Sequence, residues 1–173
     1  MQETKTLIKI MSDYHSWAYE QLFLSLQKVS DSDYFSEKAK LFFGSIHGTL
    51  NHLCLVDRLW YCRLIQQPLA VTSLNQELYK NRVELQAEIK KGAEKLIDYV
   101  NASSPQQLSQ SLEYKNTQGV ANTLLPVSTL LHVFNHGTHH RGQISAALTA
   151  LGFEFEPLDL FYSPVYQELK SLD

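Results

Sequence analysis

Four of the seven histidines stand within nine residues, at positions 132, 136, 139 and 140. Imidazole is the commonest side-chain metal ligand and the side chain that changes charge near neutral pH. The segment reads LLHVFNHGTHHRGQISAAL, residues 130–148. His132, His136 and His140 follow one another at i, i+4 and i+8. At about 100° per residue, a step of four returns to the same helix face with about 40° of drift. Two histidines so spaced can place imidazole nitrogens on one cation, which is the geometric part of the HExxH motif. The glutamate of that motif is missing, so it supplies no general base.

Neighbouring apolar residues say which histidines face inward. With His136 at zero, Val133, Ile144, Ala147 and Leu151 fall at about +20 to +80°. His140, near about +40°, lies inside that stripe, whereas His132 and His139, at about −40 and −60°, lie at its edge. His136 and His140 are therefore the expected inward pair, with His132 or His139 as possible replacements. Gln143, near about −20°, is placed to hydrogen-bond a ligand from behind.

A third ligand has to come from elsewhere. The segment GSIHGTLNHLCLVDRLWYC, residues 44–62, offers His47 and His52. His52 falls in the middle of the apolar stripe of Thr49, Leu55, Val56 and Leu59, while His47 and Asp57 lie about 140° away. His52, His136 and His140 form the expected ligand set. Three neutral imidazoles leave open positions on a divalent ion, as in catalytic zinc sites. Imidazole also suits nickel, iron and copper, so zinc and nickel lead with iron behind them. Arg63, three turns beyond His52 on the same face, is the expected contact for an anionic substrate. No catalytic acid, base or nucleophile can be assigned.

Long helices are needed to carry such a set. Residues 4–28 have helical periodicity through Leu7, Ile10, Met11, Tyr14, Trp17, Ala18, Leu22 and Leu24. The run SDSDY, 30–34, reads as a turn. A second helix starts between Ser36 and Ser45 and runs to about Gln66, before Pro68. Ser73 with Gln76 reads as a capping box opening a third helix that runs to about Asn101, where NASSP stops it. Residues 106–125 break the pattern around Gly119 and predict a loop or short irregular hairpin. Pro126 suits the first turn of a fourth helix that ends at Gly152. A short helix is expected after Pro164. Four long helices predict an all-α four-helix bundle. The long irregular connection between helices three and four leaves room for an up-down-down-up course.

The chain has 173 residues, 44% of them hydrophobic and 19% charged, which suits one folded domain over 1–173. A formal charge of −3 without a basic stripe argues against nucleic-acid binding. No segment has the length or apolarity of a signal peptide or membrane span. Cys54 and Cys62 lie eight apart on one predicted helix, roughly 12 Å along its axis. They are too far apart for a disulfide and read as small buried residues of a cytoplasmic protein.

His52 within TLNHLCLVDRLW, the string LLHVFNHGTHHRGQISAALTALG and the opening YHSWAYEQLF resemble the signatures of the DinB/YfiT-like family of metal-dependent enzymes. The resemblance covers about residues 6–152. It implies a right-handed, up-down-down-up bundle, often dimeric, and a three-histidine metal site at His52, His136 and His140. Some relatives are thiol-dependent transferases that use bacillithiol or mycothiol, or related isomerases. The chain shows no additional domain, so a maleylpyruvate-isomerase role is not expected. The expected function is a metal-dependent enzyme of the thiol S-transferase type acting on a small molecule with a low-molecular-weight thiol, as a homodimer. Metal-assisted hydrolysis and non-enzymatic ligand binding in a stress response are the alternatives.

Overall fold

The computed structural model describes residues 2–116 and 118–170. Among these the chain is mostly helical. The four long predicted helices are α1 (Gln2–Leu26), α3 (Ile46–Leu64), α4 (Arg82–Ala102) and α6 (Pro126–Ala150). Short helices α2 (Asp31–Tyr34), α5 (Pro105–Ser109) and α7 (Pro164–Lys170) join or follow them. The expected all-α class needs one amendment. Residues of the irregular segment form an antiparallel hairpin, β1 (Leu112–Lys115) and β2 (Ala121–Leu124), with Leu112 opposite Leu124. None of the described helices is long and apolar enough to cross a membrane.

α1 packs on α4 and α6, and α3 packs on the same two helices. Their apolar faces form two core clusters. One joins Tyr19, Leu22 and Leu26 of α1 to Ile46, Leu50 and Leu53 of α3, Leu85 and Ile89 of α4, and Ile144 and Leu148 of α6. The other joins Ile8 of α1 to Leu64, Leu96, Val100, Leu130, Val133 and Phe134. Each large apolar side chain removed from water stabilises the fold by about 1.5–3 kcal/mol. Residues 136–141 of α6 lie in sequence between the two apolar groups of that helix, and it is there that the polar residues collect.

Helix ends follow local chemistry in most places. Ser45 caps α3 by accepting from Gly48 N–H, and Pro126 opens α6. Gly152 takes φ +83° just past α6, where only glycine is unstrained. Two expectations fail. The SDSDY run is not merely a turn: Ser30 accepts from Asp33 N–H and starts α2, which buries Tyr34. The third long helix does not begin at Ser73. Ser73 and Gln76 make only turn bonds, with Ser73 Oγ accepting from Asn75 N–H and Gln76 Oε1 accepting from Thr72. The helix is capped instead by Asn81, which accepts from Val83 and Glu84.

The reason lies on α3. Asn51 is buried, and its Oδ1 accepts from both Leu78 and Tyr79 N–H at 2.8 and 3.0 Å, while its Nδ2 donates to Tyr79 O. These bonds hold the segment extended across α3. The same segment covers His47, which was expected on the far face. His47 is buried against Phe35, Asn51 and Glu77.

Candidate metal centre

His52, His136 and His140 meet. One nitrogen from each lies within 4.8 Å of the others. His136 Nε2 is 3.2 Å from His52 Nε2 and 3.1 Å from His140 Nε2. Helix geometry supplies the pair on α6, and the packing of α3 against α6 brings His52 to it. His52 and His140 are buried and His136 half-buried. His132 and His139 are exposed, and neither joins the cluster among the described residues.

Two of the rings are fixed from behind. His52 Nδ1 lies 2.9 Å from Leu74 O, which can only accept, so Nδ1 carries the proton and Nε2 the lone pair. His140 Nδ1 donates to Gln143 Oε1 at 2.8 Å, and the Gln143 amide nitrogen donates to His139 Nε2. His140 Nε2 is thereby a lone-pair donor too. Such outer partners fix the tautomer and orientation of metal-binding histidines. Leu74 belongs to the segment pinned by Asn51, so that segment orients His52 as well as covering His47.

Phe43 forms one wall. Its ring stacks on His52 at 3.8 Å between centroids and meets His140 edge-on at 5.5 Å. A close backbone approach puts it there. A Cβ at Gly48 would lie 2.0 Å from Phe43 O, so only glycine lets residues 40–45 fold back over the first turn of α3.

Burial lowers the pKa of all three rings. His136 is pushed to about 4, first by desolvation and then by the neighbouring His140 and His52. His52 and His140 also move below the usual value, with desolvation the main cause in each. Three adjacent imidazoles are thus neutral at pH 7, with nitrogen lone pairs crowded together and His136 Nδ1 without a hydrogen-bond partner. That donor set fits a divalent cation with nitrogen preference. Lone pairs at such separations repel one another, and a cation removes the repulsion.

Arg63 lies elsewhere. It is eleven residues beyond His52, roughly 16 Å along the helix. Its guanidinium lies over the rings of Trp60 and Tyr114 at 4.4 and 4.8 Å and lines a cleft of about 570 Å³ with Lys115 and Gln67. His132 bridges the two regions, its ring 5.6 Å from Trp60 and 5.8 Å from His136. Cys54 is buried and Cys62 partly so, and both are free thiols, as expected.

A second polar group was missed. His15 of α1, Asp57 of α3 and Arg141 of α6 are almost fully buried and hydrogen-bonded together, with Tyr19. Asp57 was set aside as no ligand, and it lies outside the histidine cluster.

The DinB family model matches residues 1–169. Protein DinB of Bacillus subtilis (strain 168) is 30% identical over 155 residues, which cover 85% of this chain and 87% of that protein. With the match running almost end to end and the three histidines gathered, the chain belongs to the DinB family.

Proposed function

We propose that the protein is a metal-dependent enzyme of the thiol S-transferase type, with His52, His136 and His140 as ligands to one zinc or nickel ion. The observation that carries this reading is the convergence of three imidazole Nε2 atoms, two of them held as lone-pair donors by Leu74 O and Gln143. An ion bound by three neutral imidazoles would keep an open position, where its charge lowers the pKa of a bound thiol or water. The chain's own residues do the rest. Leu74 and Gln143 aim the rings, Phe43 shields one side from water, and Arg63, roughly 16 Å along the helix, receives the anionic end of an elongated substrate. No general base from the protein is needed for a thiol.

The fold proposed for this role is one domain over 1–173, a four-helix bundle of up-down-down-up course. The core clusters support it, since one takes the late residues of α1 and α6 with the early residues of α3 and α4, and the other takes the reverse. Exposed Phe161 and Tyr162 support a homodimer, and the free thiols support a cytoplasmic setting.

Elemental analysis of the purified protein tests the site. The expected result is one divalent ion per chain, lost in His52→Ala and kept in His132→Ala and His139→Ala. Absence of a stoichiometric ion, or an unchanged content in His52→Ala, would overturn the reading. With cobalt in the site, a low-molecular-weight thiol should add a thiolate-to-metal absorption band. Turnover that persists without thiol would move the assignment to metal-assisted hydrolysis.

A further inference from the structure

The HGTHHRGQ string contains Gly137 and Arg141, which no ligand role explains. Both belong to the buried group at the centre of the helices. Arg141 Nη1 donates to His15 Nδ1 at 3.2 Å, so the His15 proton sits on Nε2, which donates to Asp57 Oδ2 at 3.1 Å. Tyr19 donates to the same oxygen at 3.0 Å. The imidazole is neutral and separates a cation from an anion. Burial keeps His15 below its usual pKa against the opposing pull of Asp57. Asp57 Oδ1 and Arg141 Nε are buried without hydrogen-bond partners.

A buried ion pair is weak evidence for stability, because desolvation offsets most of the attraction and apolar replacements are often as stable. A role in the neighbouring site accounts better for its presence. His15 presses on α6 one residue after His136: a Cβ at Gly137 would lie 2.6 Å from His15 Cε1. The Asp57 carboxylate has one unsatisfied buried oxygen, and through its bond to His15 it is joined to the turn of α6 that follows His136.

We propose that the Arg141–His15–Asp57 chain is a positioning device for the three-histidine site: the negative charge of Asp57 tightens the site's hold on a divalent cation, and His15 against Gly137 fixes the α6 turn that carries His136. The proposal rests on the reading of His52, His136 and His140 as ligands. Asp57 touches no ligand atom and acts through the field and through His15.

Coulomb energy is proportional to the charge of the ion. Loss of a field therefore weakens a dication by the square of the factor that it weakens a monocation, whereas distorted geometry follows no such rule. The test uses the full chain with Cys54→Ala and Cys62→Ser, so that monovalent copper meets no thiol. Zinc(II) and copper(I) affinities are measured by chelator competition with and without Asp57→Asn. Zinc affinity is expected to fall roughly 10–100-fold and copper(I) affinity about 3–10-fold. Equal losses for the two ions, or no loss, would overturn the proposal while leaving the ligand assignment intact. A parent protein that binds neither ion would instead remove the ligand assignment. Should Asp57→Asn fail to fold, the carboxyl carbon shift of Asp57 in the unsubstituted protein decides. An ionised carboxylate whose shift moves on zinc addition is expected, and a protonated or unresponsive carboxyl would overturn the proposal.

Discussion

Gly137→Ala is a substitution on which two effects of opposite sign compete. Alanine in a helix interior is better than glycine by about 1 kcal/mol. The new methyl, however, would lie 2.6 Å from His15 Cε1, 2.8 Å from His15 Nδ1 and 2.8 Å from Arg141 Nη1. Those atoms belong to side chains with 0% and 1% exposure, so neither can swing into solvent. Overpacking costs about 1–3 kcal/mol. Displacing the Arg141 bond to His15 costs about another 1–3 kcal/mol, because a charged donor is left buried. The net expectation is a loss of about 1–5 kcal/mol, or a Tm lower by roughly 2–20 °C for a chain of this size. Gly142, five residues on in the same helix, is the control, since nothing lies within 4 Å of its would-be Cβ. Gly142→Ala should gain up to about 1 kcal/mol. Urea unfolding of the metal-free proteins at pH 7, with unchanged m values, measures both. Gly137→Ala as stable as the parent, or shifted like Gly142→Ala, would refute the close packing of His15 against α6.

The metal-free protein should lose stability on acidification. His136 sits near pKa 4 and His15, His47, His52 and His140 are also lowered, each chiefly by burial. The unfolded chain takes up these protons near pH 6.5, before the folded one does. Stability therefore rises with pH between about 4 and 6.5 and is fully present above that window. A urea midpoint that is flat or increases from pH 7 down to 4.5 would contradict this. Asn51→Ala should destabilise by about 2–4 kcal/mol, since it leaves the backbone N–H groups of Leu78 and Tyr79 without their acceptor. Proteolysis should then begin within residues 66–80, and cleavage elsewhere would count against the pinning of that segment.

Periodicity made the long helices legible, because helix formation and the 100° step are local properties. The same step put His136 and His140 together and His52 on an apolar face. The start of the third long helix was not legible, because the Ser73 and Gln76 pattern is local and the overriding bonds come from Asn51 on another helix. The buried charge group did leave a trace. In α1 the buried residues Ile8, Ser12, His15, Tyr19, Leu22 and Leu26 alternate steps of four and three. Leu50, Leu53, Asp57 and Leu64 of α3 keep the same seam, as do Leu130, Phe134, Gly137, Arg141, Ile144 and Leu148 of α6. Such a seam faces the packing partner. It is interrupted in each of these helices by a titratable residue, by His15 and then Tyr19 in α1, by Asp57 in α3 and by Arg141 in α6, whose charges and donors complement one another. Interruptions of that kind in all three are improbable as independent accidents, since each alone would be an unpaired polar group in the core. The ligand candidates lie just outside the seam. His52, His136 and His140 each precede a seam position, at 53, 137 and 141. The charge group thus occupies the axis, and the histidines lie beside it on α3 and α6, with His136 half-buried. The site and its counter-charge are adjacent because they share the same turns of helix.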